Sequence, residues 1–241
     1  HFIHGFARDM GKKLDAPFEI TEFKGDIHLS ADEKSWMSAV EEKGHLNNFW
    51  LMFAGGKQDF TCKWWAPQYY QSVVSHFKDR ILFAQVGESG HWHQPLDDTL
   101  NLLGKTNLRQ LVRLVYHSQG VIGPVSLGMH LAAAVPTKTD ALRPCVVIAG
   151  GREPVHWEAY PGHQFLHTIG ALSCCARKSC WKSRCQTIGD GDEKDTKNTC
   201  EKPVQVEKEL AIPQCMNMIS PQKVAAAIET YYEGGMLGYL P

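Results

Sequence analysis

Short apolar runs that end in glycine alternate with helix-period segments through most of this chain. Residues 49–54 (FWLMFA) run into Gly55 and Gly56, and residues 81–86 close on Gly87. Val121 and Ile122 lead to Gly123, and residues 145–149 (CVVIA) end in Gly150 and Gly151. Continuous runs of this length suit strands buried on both faces. Between them, Pro67 opens a segment with Tyr70, Val73, Val74 and Phe77 on one helical face. Leu108, Leu111, Val112 and Val115 share a second face, and residues 128–135 read as a third helix. Strand and helix in alternation predict βαβ units and a parallel sheet. The expected fold class is therefore α/β: a Rossmann-like parallel sheet flanked by helices.

The flanks of this pattern differ from it. Ser30 and Glu33 make a capping box, Trp36 and Val40 follow at helical spacing, and Gly44 is the expected stop. Residues 1–46 are taken as an N-terminal segment with a helix, and residues 47–241 as the nucleotide-binding domain. Within that domain, residues 163–215 are an irregular Cys-rich insertion. Its stretch 189–197 (GDGDEKDTK) reads as a solvated, mobile loop. Ser220 and Pro221 open a C-terminal helix over 221–232, with Gly234 and Gly235 after it.

Composition narrows the partners. With 241 residues, the chain is long for one domain and short for two. Its formal net charge of -1 gives no global electrostatic case for nucleic acid or an anionic membrane. No apolar run approaches the ~20 residues of a membrane helix. No signal peptide is visible, so the expected location is cytoplasmic, and the start at His1 suggests a piece of something longer.

Ligands of open parallel sheets bind beyond the carboxyl ends of the strands, where these glycines lie. Glycine lets backbone approach a phosphate closely. Any single glycine is explained by a βα turn, but four in register point to a phosphate or nucleotide crevice. In residues 123–134 (GPVSLGMHLAAA), Ser126 is placed to cap a helix whose free N–H groups attract a diphosphate. Gly123, Ser126, Gly128, Met129 and His130 are candidates there, although helix geometry alone favours a structural role for His130. In residues 55–65, Gly56, Thr61 and Lys63 follow a strand, and a lysine there can neutralise a phosphate. Glu88 follows Gly87, where an acid can hold ribose hydroxyls. Arg152 and Glu153 either reach the same crevice or pair with each other at the surface.

Eight cysteines are placed unevenly. Cys62 and Cys145 stand alone, whereas Cys174, Cys175, Cys180, Cys185, Cys200 and Cys215 crowd one segment near His163 and His167. Crowding in the core-poor part favours a structural Zn or Fe site over disulfides. A disulfide-linked secreted protein is the remaining alternative.

Residues 63–67 (KWWAP), 103–114 (LGKTNLRQLVRL) and 126–134 (SLGMHLAAA) resemble the ADP-heptose:lipopolysaccharide heptosyltransferase family, glycosyltransferase family 9. Cys215, Met216 and residues 219–224 resemble the family's ending, so the likeness spans about residues 48–232. The resemblance implies the C-terminal, donor-binding half of a GT-B fold. It implies a nucleotide-diphosphate sugar such as ADP-heptose as donor, and a lipopolysaccharide or protein as acceptor. It gives Lys63 to the donor phosphates, Ser126 and His130 to the diphosphate-binding helix start, and Glu88 to the ribose. A catalytic base would lie in an N-terminal acceptor domain outside this sequence, and no catalytic cofactor is implied. Some relatives carry a cysteine-bound iron, and an oligomer is compatible with the family. One departure is Val125-Ser126-Leu127, where the family has Asp-Ser/Thr-Gly. It leaves open a second reading: a non-catalytic metal-binding interaction module on a degenerate transferase fold.

Overall fold

The computed structural model describes residues 1–45, 48–139 and 141–240. The expected boundary between residues 46 and 47 lies outside the described residues. Six strands build the main sheet: β1 (Phe49–Met52), β2 (Leu82–Gln85), β3 (Leu100–Asn101), β4 (Gly120–Pro124), β5 (Cys145–Gly150) and β6 (His163–His167). They pair in the order β3-β2-β1-β4-β5-β6, every pair parallel. A separate antiparallel hairpin joins β7 (Pro203–Glu207) and β8 (Leu210–Pro213). The helices are α1 (Phe2–Leu14), α2 (Ala31–Ser35), α3 (Pro67–His76), α4 (Leu108–His117), α5 (Leu127–Ala134), α6 (Val155–Glu158), α7 (Lys194–Lys197), α8 (Gln214–Asn217) and α9 (Pro221–Glu233).

The sheet is buried on both sides because its strands alternate between two cores. Trp50, Met52, Ile122 and Ile148 face α3 and α9, meeting Tyr70, Val73, Phe77 and Ile228. Leu51, Val121 and Val147 face the other way, onto Val112, Val115, Met129 and Leu131. Two of the large buried indoles are hydrogen-bonded: that of Trp50 donates to Tyr232 Oη at 2.8 Å, and that of Trp65 to the Ile219 carbonyl at 2.9 Å. Gly120 lies under Trp50, whose ring atoms sit 2.7 Å from where a Cβ would stand.

The four glycine-terminated runs form β1, β2, β4 and β5 as expected. Four features differ from expectation. Residues 2–14 form α1, capped by the His1 side chain at Ile3 N. The capping box at Ser30 and Glu33 is present, but α2 ends at Ser35, and Gly44 closes only the single turn Glu41–Lys43. Residues 163–167, assigned to the irregular segment, are edge strand β6. The loop 189–197 is not free: Asp190 and Asp195 clasp the buried Arg184 guanidinium at 2.7 and 2.6 Å, and Asp59 joins at 3.0 Å. That clasp ties the insertion to the turn Gln58–Lys63. The N-terminal segment is fastened to α4, where Arg109 ion-pairs with Glu33 and donates to the His28 carbonyl.

Candidate functional site

The strand order reverses between β1 and β4, which is where an open parallel sheet leaves a crevice at its carboxyl edge. A cleft of about 630 Å³ opens there. Phe53, Gly55 and Gly56 contribute from the end of β1, Gly87, Glu88, His91 and His93 from β2, and Pro124, Val125, Ser126 and Leu127 from β4. Leu108 and Leu111 of α4 form an apolar wall, and Phe60, Lys63 and Trp64 close the other side.

Gly55 and Gly56 have φ of 109° and 147°, a region that favours glycine. A Cβ on Gly55 would stand 2.2 Å from the Trp92 carbonyl. The close approach is made by Gly56 and Trp92, which exchange backbone hydrogen bonds at 2.9 and 3.1 Å. It stacks Trp92 on Trp64, with ring centroids 4.3 Å apart. His93 then fills the space that a side chain at Gly87 would need, its Nδ1 donating to the Ala54 carbonyl at 2.8 Å. Burial pushes the His93 imidazole below its ordinary pKa, which favours its neutral form. Its Nε2 and the Trp64 Nε1 are buried at the cleft without a partner among the described residues.

Lys57 and Lys63 both line the cleft, and Lys63 is the one held by an ion pair. Its Nζ is 2.7 Å from Glu153 Oε1 and donates to the Val125 carbonyl at 3.1 Å. Glu153 is buried, and Arg152 is its second partner. The pairing of Arg152 with Glu153 is thus present, in the interior rather than at the surface. Ser126 is the N-cap of α5, and its side chain accepts no capping hydrogen bond. The first N–H groups of α5 and the Lys63 ammonium therefore lie on one side of the cleft, a setting suited to an anion.

The family model of glycosyltransferase family 9 (heptosyltransferase) matches residues 20–164. The chain belongs to glycosyltransferase family 9. Three solved structures share its fold. Escherichia coli ADP-heptose lipopolysaccharide heptosyltransferase II is 16% identical with a TM-score of 0.53, over 88% of this chain and 54% of that one. The family 9 glycosyltransferase from Veillonella parvula is 14% identical with a TM-score of 0.57, over 93% and 59%. TibC, a dodecameric iron-containing heptosyltransferase solved with ADP-D-β-D-heptose, is 16% identical with a TM-score of 0.51, over 91% and 49%. The family 9 chain thus spans roughly half the length of the structures it resembles. No curated protein matches it.

Of the residues selected from the sequence, Gly56, Lys63, Glu88 and Ser126 line the cleft. The Glu88 carboxylate is exposed and 3.2 Å from His91 Nε2. Thr61 is buried and does not line the cleft, its hydroxyl accepting from Cys185 N at 2.7 Å. Gly123 and Gly128 lie against Phe53, whose atoms would be 2.8 and 2.7 Å from a Cβ built at each. Met129 is in the core. His130 does not line the cleft; its Nδ1 meets Tyr160 Oη at 2.9 Å and its Nε2 is 3.8 Å from Glu158. Burial and the nearby Lys63 charge keep His130 below its ordinary pKa. Burial and the Glu153 charge push the Glu158 carboxyl up to about 7.

Cys62 is not solitary. It lines a hole of about 20 Å³ together with Cys174, Cys180, Cys200 and Cys215. All eight cysteines are free. Hydrogen bonds from the Cys185 and Cys62 thiols favour Cys200 as the thiolate. Cys175 approaches the same place, its Sγ 3.1 Å from a Cβ position on Gly151. Among the described residues, no three His, Cys, Asp or Glu side chains are set to hold a metal ion. No described helix is long and apolar enough to cross a membrane.

Proposed function

We propose that the cleft binds the diphosphate and nucleoside of a sugar donor, ADP-heptose-like in chemistry, and that this chain is the donor-binding half of a glycosyltransferase. The observation that carries the reading is the placement of Lys63 beside the open N-terminus of α5 at the sheet's switch point. The ammonium and the helix N–H groups would neutralise the leaving diphosphate as the glycosidic bond to it breaks. The glycine backbone at Gly56, with only the Trp64 Nε1 within 4 Å of its Cβ position, allows a phosphate close approach. Leu108, Leu111 and Phe53 offer the base an apolar slot, and the exposed Glu88 carboxylate would accept the ribose hydroxyls. His130, Gly123, Gly128 and Met129 act through the shape of α5 and its seat on Phe53. The acceptor hydroxyl attacks the anomeric carbon with inversion, and its proton goes to a base on an acceptor-binding partner domain. A lipopolysaccharide or protein acceptor fits the family.

The thiols around Cys200 suit a structural Zn or Fe by donor chemistry, drawn from Cys62, Cys174, Cys175, Cys180, Cys185, Cys200 and Cys215. Such an ion would brace the insertion and take no part in the transfer. The same convergence, with Val125 and Leu127 in place of the family's Asp and Gly, supports a second reading as a metal-binding module without turnover.

Calorimetric titration with ADP, UDP and GDP tests the donor reading. Saturable binding that Lys63→Ala weakens is expected. Absence of binding at millimolar nucleotide, with Lys63→Ala inert, refutes it. Stoichiometric metal without nucleotide affinity selects the module.

A further inference from the structure

Of the three buried tryptophans among the described residues, Trp64 alone has an indole N–H without a partner. Trp64 is 2% exposed, lines the donor cleft and is held by its stack on Trp92. Where Gly56 lacks a Cβ, the nearest atom beyond its chain neighbours is the Trp64 Nε1, 3.8 Å away. The glycine thus keeps a space open beside a group that can only donate. Orphaned buried donors are rare in folded chains, and each calls for an explanation.

His93 has the complementary gap. A carbonyl only accepts, so Nδ1 carries the proton in the contact with the Ala54 carbonyl. In the neutral ring, Nε2 is then a lone-pair acceptor, and it is buried without a donor. It lies against Gly87, where a Cβ would stand 2.3 Å from it, and His93 lines the same cleft. One device holds both side chains. The bridge between Gly56 and Trp92 sets Trp92 against Trp64, and His93 is the next residue.

The opposite polarity of the two atoms restricts what can meet them. A phosphate oxygen would serve the indole but would set its charge against the imidazole lone pair. The face of a nucleobase would serve neither. A hydroxyl both donates and accepts, so a ring that bears several hydroxyls satisfies both atoms. We propose that Trp64 Nε1 and His93 Nε2 select the ligand by its hydroxyls, the indole donating to and the imidazole accepting from a hydroxylated ring of the nucleotide sugar. The ring is the ribose or the transferred sugar, which share this chemistry. The selection rests on the donor reading of the cleft. Buried polar groups built to meet a ligand hydroxyl reject the analogue that lacks it, because they are left unpaired.

Calorimetric titration of the full chain with ADP, 2′-deoxy-ADP, 3′-deoxy-ADP, inosine diphosphate and ADP-heptose tests this across four proteins. They are the parent, Trp64→Phe, His93→Asn and His93→Gln. Trp64→Phe keeps a ring against Trp92 without the N–H. The Asn amide can replace Nδ1 but not Nε2, whereas the Gln amide reaches the Nε2 position. The parent should prefer the hydroxylated ligand by about tenfold or more. That preference is ADP over a deoxy analogue if the ring is the ribose, and ADP-heptose over ADP if it is the transferred sugar. Trp64→Phe and His93→Asn should each remove most of the preference, and His93→Gln should keep it. Misplaced side chains would instead weaken every ligand together and leave the ratios intact. An unchanged preference in Trp64→Phe or His93→Asn, a loss shared equally by all ligands, or a change confined to ADP against inosine diphosphate would overturn the proposal. Failure of the parent to bind any of these nucleotides refutes the donor reading, and the selection with it. Saturable binding with unchanged preferences refutes the selection alone.

Discussion

The Lys63 ammonium is held 2.7 Å from the buried carboxylate of Glu153. A lysine at a cleft mouth would otherwise sample many rotamers, at an entropic cost when it binds. The pairing with Glu153 and the Val125 carbonyl fixes it before a ligand arrives. Removing the ammonium leaves Glu153 with Arg152, so the interior charge remains partnered. Lys63→Ala should therefore weaken ADP binding by roughly tenfold to a hundredfold, as expected for one charge-assisted contact of about 1.5–3 kcal/mol. Thermal stability should change little. Calorimetry beside a melting curve checks both parts, and a collapse in stability with binding intact would contradict the assignment.

Glu153→Gln is a different experiment, because it leaves two cations facing a neutral amide. Breaking a buried pair from one side costs about 3–5 kcal/mol. Urea unfolding should show that loss, and Lys63 should bind ADP less tightly through misplacement alone. Glu153 was visible in the sequence only as one of two residues near a strand end. Its partner Lys63 lies 90 positions away, and the register that joins them is tertiary. The same limit hid Cys62 from the cysteine cluster and His93 from the cleft. His93 is delivered by the bridge between Gly56 and Trp92, which leaves no local pattern. The central strands were legible because burial on both faces writes a continuous apolar run, as in residues 49–52. Edge strand β6, HQFLH, is half-buried and carries two histidines, so no such run exists. Strand β3 is only two residues long.

The clasp of Arg184 predicts where the insertion loosens. Its guanidinium is enclosed by Asp59, Asp190 and Asp195, and it holds the Asp190 carboxyl at about 2. A depressed carboxylate contributes stability above its unfolded value near 4, and that contribution is lost as pH falls toward 2. Arg184→Gln should remove this acid sensitivity. It should also speed amide exchange at Ile188 and Gly189, whose N–H groups donate to Asp195. Hydrogen exchange with a melting series from pH 5 to 2 reads both, and unchanged exchange at those amides would refute the clasp.

Glu158 acts with the opposite sign. Its carboxyl is pushed up to about 7, so the folded chain binds a proton that the unfolded chain has already lost above about 4.3. Stability from this group is complete at low pH and declines as pH rises from about 4.3 through 7. The full shift corresponds to about 3–4 kcal/mol, which solvent screening at this partly exposed carboxyl reduces. His163 opposes it, since burial lowers that imidazole to about 4 and stability falls as pH drops from about 6.5 toward 4. Glu158→Gln should isolate the two. The variant should gain on the parent as pH rises from 5 to 8, and retain the loss below 6 that belongs to His163. Denaturant midpoints across that range give the comparison, and parallel curves for parent and variant would refute it.

Gly120 tests the packing that sets the central strands. A Cβ there would meet three atoms of the Trp50 ring at 2.7 Å, closer than real contacts allow. The indole is anchored by Tyr232 Oη and lies in the core, so it cannot turn aside without losing that hydrogen bond. Overpacking of this kind costs about 1–3 kcal/mol. Gly120→Ala should lower stability by that amount in the parent and by much less in a Trp50→Leu background, where the ring is gone. The coupling between the two positions, read from urea midpoints of the four variants, should exceed the few tenths of a kcal/mol expected for independent sites. Additive effects would mean that Gly120 is required for its backbone and not for the space beneath Trp50.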